Sequence, residues 1–344
     1  MKKVLFLYTE LAGEIVSCFN ALANEGVDVH VVRWPVKAEA PFEFDTHPNV
    51  HLYNRTDLDD SKLLQLSVDL APDAVFVSGW VDKGYLQVAR HFRSRVSVTL
   101  LLDNHYTGSW KQRIVSLLSF HFIKPFFNHA WVPGSPQKVY AERLGFGKAN
   151  IKTGFYCADT DLFDAHFAQF GAPQENAFIF IGRYVPFKGI YDLWEAFSLF
   201  SEEFPDWKLY CLGTGDHWEQ RKEHPKIEHV GFVQPKDLSP WLQRAGVFVL
   251  PSHREPWGVV VHEMAAAGFP LICSDTIGAA SMFLSPANGL DFKAGQSTSL
   301  LDAMRTMGLK SQDQRIQMAQ ASRSIAQTLT KQKWVQTALE IVAG

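Results

Sequence analysis

The sequence predicts an α/β protein built from two doubly wound parallel sheets. Two observations lead to this fold class. Short apolar runs typical of buried strands alternate with amphipathic helical stretches along the whole chain, and the alternation begins again in the second half. The chain also has 344 residues, of which 47% are hydrophobic, so it is long enough to form two domains with separate cores.

The predicted strands follow one another at regular intervals. In the first half they are KVLFLY, DVHVVRW, VHLYN, DAVFVSGW, VSVTLLLD and HAWVPG. Helical patterns such as EIVSCFNALANEG, which stops at Gly26 as a helix often does, separate most of them. The second half repeats the plan with AFIFIG, KLYCLG, IEHVGF, VFVLPS and PLICSD. Such strands, separated by helices, indicate Rossmann-like parallel sheets that are covered on both faces.

The regular pattern lapses between residues 150 and 165, where we place the domain boundary. We predict an N-terminal Rossmann-like domain over residues 1–152 and a C-terminal one over residues 153–325. Residues 326–344 are predicted to form a helix that packs back on the N-terminal domain. Two such domains facing each other would leave a cleft between the carboxyl ends of their strands, where open α/β sheets bind ligands.

The composition argues against several classes of protein. The net charge is -3 and the pI is about 6.5, so no nucleic-acid partner is expected. The four cysteines are widely spaced, which favours reduced thiols in a cytoplasmic protein over a disulfide framework or a zinc site. Thr9 and Glu10 interrupt the first apolar run, which favours a strand over a signal peptide, and no apolar window is long enough to span a membrane.

Two glycine-containing turns follow predicted strands of the second half. In GRYVPFKG, Arg183 and Lys188 come after Gly182, at the entrance to a predicted helix. A helix N-terminus attracts anions, and two neighbouring cations would suit a diphosphate; the alternative is that both are ordinary loop cations in solvent. In LGTGD, Gly213 and Gly215 would let the backbone approach a ligand closely, or they form only a tight βα turn.

Two glutamates stand eight positions apart in the segment EPWGVVVHEMAAAG, which otherwise has the pattern of a buried helix. Pro256 fits the first helical position and Gly268 fits the helix end. A carboxylate in apolar surroundings needs a hydrogen-bond partner, because unpaired burial of a charge is costly. A ribose diol would serve as that partner for Glu263, and a structural Arg or Lys is the alternative.

Together these motifs resemble those of retaining glycosyltransferases with the GT-B fold, in particular family 4. The resemblance rests on GRYVPFKG, LGTGD, EPWGVVVHEMAAAG and the interdomain segment CADTDLF, and it covers roughly residues 150–295. The N-terminal half is similar in layout only. The resemblance implies that the C-terminal domain binds a nucleotide-sugar donor, that the N-terminal domain binds the acceptor, and that no metal or other cofactor is needed.

The resemblance also implies a role for each motif residue. Glu263 would bind the ribose hydroxyls of the donor, and Glu255 would contact the transferred sugar. Arg183 and Lys188 would hold the diphosphate and, with Glu255 and His105, are the predicted catalytic residues. The remaining donor-binding positions are Gly182, Gly213, Gly215, Val233, Trp257, Gly258, Val259 and Val260.

Two departures from the family pattern affect these expectations. Many relatives carry Gly-Gly-x-x-Glu after the second glutamate, whereas this chain has IGAASMF and lacks the acid. Relatives often carry a Gly-Gly loop after the first strand, for which Gly13 is the weak counterpart here. Gly13 and His105, which follows the predicted strand VSVTLLLD, are the predicted acceptor-side residues. The alternative for His105 is a structural or capping role.

Two other patterns in the sequence resemble binding sites. The Asp-x-Asp sequences at residues 57–59 and 159–161 mimic the metal motif of the other glycosyltransferase fold, but neither closes an apolar strand, so we predict no metal site. Residues 110–127 mix basic and aromatic side chains, which suits peripheral contact with an anionic membrane. A helix that merely covers the sheet is the preferred alternative for this stretch.

The sequence therefore predicts a retaining glycosyltransferase. It would move a sugar from a nucleotide sugar to a hydroxyl of a glycan or lipid-linked acceptor, in surface polysaccharide or glycolipid biosynthesis. One alternative is a nucleotide-sugar epimerase of the same two-domain shape. The other is a non-catalytic protein that binds a nucleotide sugar.

Overall fold

A computed structural model describes residues 1–36 and 41–344 of the chain. The chain divides into two compact units. Unit 1 contains residues 1–36, Phe42–Cys157 and Leu329–Gly344. Unit 2 contains Ala158–Thr328. The divisions therefore lie a few residues beyond the sequence-based boundaries at residues 152 and 325.

Unit 1 contains a seven-stranded sheet in which all neighbouring strands run parallel. Its strands are Lys3–Glu10 (β1), Asp28–Trp34 (β2), Val50–Asn54 (β3), Ala74–Ser78 (β4), Ser97–Leu101 (β5), His129–Val132 (β6) and Ile151–Thr153 (β7). Its helices up to β7 are Gly13–Asn24 (α1), Asp60–Leu70 (α2), Lys83–Phe92 (α3), Trp110–Phe122 (α4) and Ser135–Arg143 (α5). The strand order is β3-β2-β1-β4-β5-β6-β7, so the chain reverses direction across the sheet between β1 and β4.

Unit 2 repeats this plan with six parallel strands. They are Ala177–Ile181 (β8), Lys208–Leu212 (β9), Ile227–Gly231 (β10), Val247–Leu250 (β11), Leu271–Ser274 (β12) and Gly289–Phe292 (β13). The helices are Thr160–Phe170 (α6), Ile190–Glu203 (α7), Ser239–Leu242 (α8), Val259–Ala266 (α9), Ala280–Phe283 (α10), Ser297–Gly308 (α11) and Gln312–Ala326 (α12).

The last helix, Lys331–Ala343 (α13), belongs to unit 1. Its fully buried Trp334 lies 4.8 Å from the ring of Trp131 on β6, and its indole N–H donates to the carbonyl of Phe155 at 2.7 Å. A large aromatic ring with a satisfied polar edge is well suited to such a position. Phe155, which follows β7, and the last helix thus contribute to the core of the first unit.

Both sheets are built from strands that are apolar along most of their length. In β1, Val4 to Leu7 are fully buried, and in β11 all four residues are. Such strands need cover on both faces, which the flanking helices provide. Within the part of the chain that the structure describes, no helix combines the length and the apolar character needed to cross a membrane.

The strand order of unit 2 determines where a ligand site can form. The order is β10-β9-β8-β11-β12-β13, so β8 and β11 are neighbours although β9 and β10 come between them in sequence. Connections leave these two strands in opposite directions, which opens a crevice at their carboxyl ends. The segments that follow β8 and β11 contain six of the predicted donor-site residues: Gly182, Arg183, Lys188, Glu255, Trp257 and Gly258.

Candidate active site

An ion pair connects the segments that follow β8 and β11. The ammonium group of Lys188 donates to the carboxylate of Glu255, which also accepts a hydrogen bond from the Ser252 hydroxyl at 3.3 Å. The two charged side chains are only 15% and 12% exposed. Both residues were predicted from sequence to bind the donor, but their direct pairing was not.

Backbone geometry brings this pair together. Lys188 ends a short 3-10 turn, and Gly189 follows it with φ +68. A Cβ at Gly189 would lie 2.0 Å from the carbonyl oxygen of Pro251, so a side chain there would push the two segments apart. On the other segment, the Ser252 carbonyl accepts hydrogen bonds from the hydroxyls of Ser274 and Thr276, the latter at 2.8 Å.

The helix that carries the second glutamate is shorter than predicted. Pro256 was expected at the first helical position, but α9 begins at Val259. Glu255 is instead held in an extended bridge with Ile277, and its carbonyl accepts a hydrogen bond from Gly278 at 3.1 Å. Ala279 makes a similar bond to Trp257 at 2.9 Å, so backbone pairing with IGAASMF delays the start of the helix.

The start of α9 is set by Gly258, which has φ +89. A Cβ at this position would come within 2.9 Å of the Glu255 side chain, so the glycine leaves space for that carboxylate. Val259 and Val260 open the helix and are half-buried, while Trp257 is 2% exposed. The helix ends at Ala266, and Gly268 follows with φ +79, as predicted for a helix end.

Glu263 lies in the second turn of α9 and is half-buried, between buried His262 and Met264. His262 is fixed by hydrogen bonds to the Ala158 amide and the Ala326 carbonyl, both at 3.1 Å. The helix around Glu263 is therefore anchored to its surroundings in unit 2. The role of Glu263 in binding ribose stays a prediction.

The turns after β8 and β9 fit closely against each other. The amide of Gly182 donates to Leu212 and that of Tyr184 donates to Thr214, each at 2.9 Å. A Cβ on Gly213 would lie 2.0 Å from the Gly182 carbonyl oxygen. Only glycine permits this approach, which gives a packing reason for the predicted donor-site residue Gly213.

Two other predicted donor-site residues, Gly215 and Arg183, lie in these turns, and a third, Val233, follows β10. Gly215 has φ +156, and a Cβ there would come within 2.7 Å of the Tyr184 carbonyl oxygen. Arg183 is half-buried, with its guanidinium 5.6 Å from the ring centre of Phe187, so it is not a loop cation fully in solvent. Val233 follows β10, the outermost strand on its side of the sheet, and lies two strands away from β8.

The predicted acceptor-side residues lie in unit 1. Gly13 is the first residue of α1, and His105 follows β5 by four positions. Both are half-buried, and the carbonyl of His105 accepts a hydrogen bond from the Gln112 side chain at 2.8 Å. A hydrogen bond thus connects the His105 backbone to helix α4. The predicted catalytic and acceptor-side role of the imidazole stays a prediction.

A cluster of ionisable groups near these two residues was not predicted. Tyr156 lies within hydrogen-bonding reach of the side chains of Tyr8 and Asp103. Burial raises the pKa of all three groups, and it raises the pKa of Glu14, in the first turn of α1, to about 6. Asp103 directly follows the apolar run of β5, and ligand sites form at such strand ends, so the sequence could have identified it. No comparable sequence signal marks Tyr156.

A cavity of about 660 Å³ opens at the carboxyl ends of the strands in unit 1. Its lining includes Trp34, Asp82 and Asn104, together with Arg55. The Arg55 guanidinium donates to Asp82 at 2.9 Å and lies 5.8 Å from the ring centre of Trp34. An aromatic face beside carboxylate, amide and guanidinium groups offers both stacking and hydrogen bonding to a polar ligand.

The second unit is recognisable by its sequence. Residues 163–325 match the model of the family called glycosyl transferases group 1. The predicted family resemblance is thereby confirmed for the part of the chain that contains Arg183, Lys188, Glu255 and Glu263.

The chain matches its curated relatives over only part of their length. A glycogen synthase of Mycobacterium tuberculosis is 30% identical over 136 residues, which are 38% of this chain and 33% of the relative. A phosphatidyl-myo-inositol mannosyltransferase of Mycobacterium leprae is 26% identical over 243 residues, or 68% of this chain and 61% of the relative. The chain thus spans about a third of the first relative's length and less than two thirds of the second's.

Solved structures resemble the chain over its full length. Anabaena Alr3699/HepE, in complex with UDP and glucose, has a TM-score of 0.74 at 15% identity and covers 100% of both chains. Sucrose-phosphate synthase from Thermosynechococcus elongatus has a TM-score of 0.70 at 18% identity and covers 99% of this chain and 98% of its own. These similarities confirm the predicted fold class of two doubly wound α/β domains, as in GT-B glycosyltransferases.

The two Asp-x-Asp sequences contain residues that cap helices. Asp59 caps α2 by accepting a hydrogen bond from the Lys62 amide at 2.8 Å. Asp159 caps α6 in the same way, through the Leu162 amide at 3.4 Å. Asp57 accepts a hydrogen bond from the Asn54 side chain at 3.1 Å. These contacts account for Asp57, Asp59 and Asp159 as turn and cap residues.

Among the described residues, one group of three His, Cys, Asp or Glu side chains is close enough to hold a metal ion. It consists of Asp28, His30 and His51 in unit 1, with ligand atoms within 4.8 Å of one another. Sequence analysis found no such cluster, because these residues come together only through pairing of β2 with β3. Asp28 begins β2, at the end of the sheet opposite the carboxyl-end cavity. The absence of a metal requirement stays a prediction.

Proposed function

We propose that the chain is a retaining glycosyltransferase that moves a sugar from a nucleotide-sugar donor to a hydroxyl of a glycan or lipid-linked acceptor. The donor binds to the group 1 domain, at the carboxyl ends of β8 and β11. The reaction serves surface polysaccharide or glycolipid biosynthesis and takes place in the cytoplasm, a compartment that the four free, buried cysteines favour.

The observation that carries this proposal is the Lys188–Glu255 pair at the strand-order reversal of a group 1 domain. When the donor's glycosidic bond breaks, negative charge grows on the departing nucleoside diphosphate. Lys188, Arg183 and the N-terminus of α9 supply fixed positive charge for that group. Glu255 holds the ammonium in position and lies where a carboxylate can contact the sugar.

The retaining outcome follows in this proposal from attack on the same face that the diphosphate leaves. The acceptor hydroxyl forms the new bond to the anomeric carbon as the bond to the diphosphate breaks. The leaving phosphate oxygen takes the hydroxyl proton, so no separate base is needed. The missing acid of IGAASMF has no part in this scheme.

The acceptor is proposed to bind in unit 1, with the carboxyl-end cavity beside Trp34 as its site. Aromatic faces suit the apolar side of a sugar ring, while Asp82 and Asn104 can hydrogen-bond to hydroxyl groups. Gly13 and His105 are retained as acceptor-side residues.

The test is to incubate the purified chain with UDP-, GDP- and ADP-sugars, with and without an acceptor extract. UDP-glucose is the first donor to try, since Alr3699/HepE is described in complexes with UDP and UDP-glucose. We expect release of the nucleoside diphosphate that depends on the acceptor, and a product whose anomeric configuration, read by NMR, equals that of the donor.

The other outcomes separate the alternatives. Release of free diphosphate without any acceptor, with an isomerised sugar, would identify an epimerase. Binding of a nucleotide sugar without turnover of any acceptor would identify a non-catalytic binding protein. A product of inverted configuration would contradict the retaining mechanism while leaving glycosyl transfer in place.

A further inference from the structure

Helix α4 exposes six of its seven apolar side chains, whereas Val115 and the small polar residue Ser119 face inward. Trp110, Ile114 and Leu117 recur at helical spacing and are 68%, 47% and 79% exposed. On the opposite side, Ser119 is fully buried and donates to the carbonyl oxygens of Ser116 and Leu144. A helix that only covers a sheet would have the reverse arrangement, with its apolar stripe against the core.

The exposed apolar face is broad. Leu118, Phe120 and Phe122 extend it on both sides and are 40%, 66% and 64% exposed. Exposed apolar residues that occur singly need no explanation, but a contiguous set on one helix indicates an interaction surface. We call this surface, made of Trp110, Ile114, Leu117, Leu118, Phe120 and Phe122, the α4 face.

The charged residues within and next to α4 in the sequence are all basic. Lys111 and Arg113 lie on the same helix and are exposed, and Lys124 follows its end. From Asn104 to Ala141 the sequence contains no Asp or Glu, although Lys111, Arg113, Lys124 and Lys138 stand there. An apolar helix face with cations at its borders, in a stretch of sequence without acids, is complementary to an anionic lipid surface.

We propose that the α4 face is a membrane-docking surface that inserts into the interfacial layer of an anionic bilayer. Trp110 and the phenylalanines lie at the depth of the headgroups and upper acyl chains, and Lys111 and Arg113 pair with lipid phosphates. The helix lies in the plane of the membrane, because its 13 residues are too few to span one. This inference does not depend on the proposed function, since docking requires no turnover.

The experiment uses the full chain and vesicles of phosphatidylcholine, with or without phosphatidylglycerol, in a flotation assay. We expect binding to the anionic vesicles, weaker binding at high salt, and little binding to pure phosphatidylcholine. Leu117→Ser should lower the partition coefficient by about tenfold, because the membrane no longer buries that side chain. Lys111→Gln and Arg113→Gln should each lower it about fivefold.

Matched controls exist in unit 2. Leu309 is 77% exposed, almost the same as Leu117, but it lies outside the α4 face. Leu309→Ser should therefore leave vesicle binding unchanged, as should Lys222→Gln, which removes an exposed cation elsewhere. Equal losses for Leu117→Ser and Leu309→Ser would overturn the proposal, because they would show a nonspecific effect of surface hydrophobicity.

A second measurement reports depth directly. Brominated lipids should quench part of the fluorescence of the wild-type chain, and Trp110→Phe should remove that part although nine of the ten tryptophans remain. Unchanged quenching in this variant would contradict insertion of the α4 face. Failure to bind anionic vesicles would overturn the proposal. Self-association through the α4 face in sedimentation experiments would also overturn it, because the partner would then be a protein and not a membrane.

Discussion

Lys188 and Glu255 form an ion pair that spans the strand-order reversal of unit 2. They are 67 positions apart in sequence, and each side chain is less than a fifth exposed. The pair joins a cation and a carboxylate that were predicted separately as donor-site residues. Each charge therefore compensates the other, which has consequences for stability as well as for catalysis.

Breaking this pair should destabilise unit 2. Lys188→Met leaves the Glu255 carboxylate partly buried without its cation, and Glu255→Gln does the reverse. We expect each single variant to lower the free energy of unfolding by about 1–3 kcal/mol, below the cost for a fully buried pair because some solvent remains. The double variant should lose less than the two single losses added together. Urea unfolding of the four proteins measures both quantities.

The control is an exposed pair in the same unit. Lys293 contacts Asp275 at 2.7 Å, but its side chain is 71% exposed. Lys293→Met should therefore change stability little. If Lys188→Met were equally harmless and additive with Glu255→Gln, the two charges would not be coupled in solution.

Glu263 provides a test of donor binding. If its carboxylate binds a ribose diol, Glu263→Ala should weaken binding of the nucleoside diphosphate by ~1.5–3 kcal/mol, the range for hydrogen bonds to a charged group. The melting temperature should change little. Calorimetric titration and thermal unfolding of the same samples provide the two numbers. A large fall in melting temperature with unchanged affinity would support the structural ion pair that was the alternative from sequence.

Much of the fold could be predicted from the sequence because most strands are continuous apolar runs. Two strands escaped prediction. β7 has three residues, IKT, and β13 has four, GLDF, and each contains polar positions. These segments are strands because β6 and β12 offer them a free edge for backbone pairing, which is information that lies elsewhere in the chain.

The site was less predictable in its geometry than in its composition. Motifs identified Lys188, Glu255 and Glu263, but only the fold reveals which of them are in contact. The helix begins at Val259 and not at the predicted Pro256, because IGAASMF pairs with the backbone that precedes the helix. Local helix signals in the sequence contain no information about this long-range pairing. In the same way, residues 110–127 were known to be basic and aromatic, and the structure was needed to see which face they expose.

Activity should not require a metal ion. The proposed mechanism neutralises the leaving diphosphate with Arg183, Lys188 and the start of α9. Initial rates should therefore be the same with and without EDTA. Asp28→Asn should behave like the wild type in this assay, because its cluster with His30 and His51 lies at the end of the unit 1 sheet opposite the proposed acceptor cavity. Loss of activity on chelation that Mg²⁺ or Mn²⁺ restores would contradict the proposed role of the cations.

Glu14 should make stability depend on pH. Burial raises its pKa from 4.5 to about 6, so the folded state binds the proton more tightly than the unfolded state does. Stability is therefore lost as pH rises through this range, and the penalty is fully present above it. Glu14→Gln lacks the ionisation, so it should be more stable than the wild type above pH 6, by roughly 1–2 kcal/mol, and no more stable below pH 4.5.

Urea unfolding on both sides of that range checks the sign. Glu25→Gln is the control for the loss of a negative charge itself, since Glu25 is an exposed carboxylate at the other end of α1. A gain in stability for Glu14→Gln that is the same at both pH values would show that the side-chain amide, and not the missing ionisation, is responsible.

Arg183 and Lys188 should act on turnover more than on donor affinity. The departing diphosphate gains charge in the transition state, so fixed cations stabilise it more strongly there than in the bound donor. Arg183→Ala and Lys188→Ala should each lower kcat by on the order of 10²–10³, as the loss of one electrostatic contact does in comparable sites. Arg183→Lys should recover only part of this, because an ammonium lacks the planar fork of a guanidinium.

The double variant decides whether the two cations serve one group. If both contact the same diphosphate, the combined loss should differ from the product of the single losses. Initial rates at saturating donor give these values, with Lys222→Ala as a control for removing a surface cation. Near-normal rates in either single variant would remove that residue from the active site. Because Lys188 also holds Glu255, Glu255→Gln must be measured beside it: if it reproduces the whole loss of Lys188→Ala, the ammonium acts by positioning the carboxylate and not by neutralising the diphosphate.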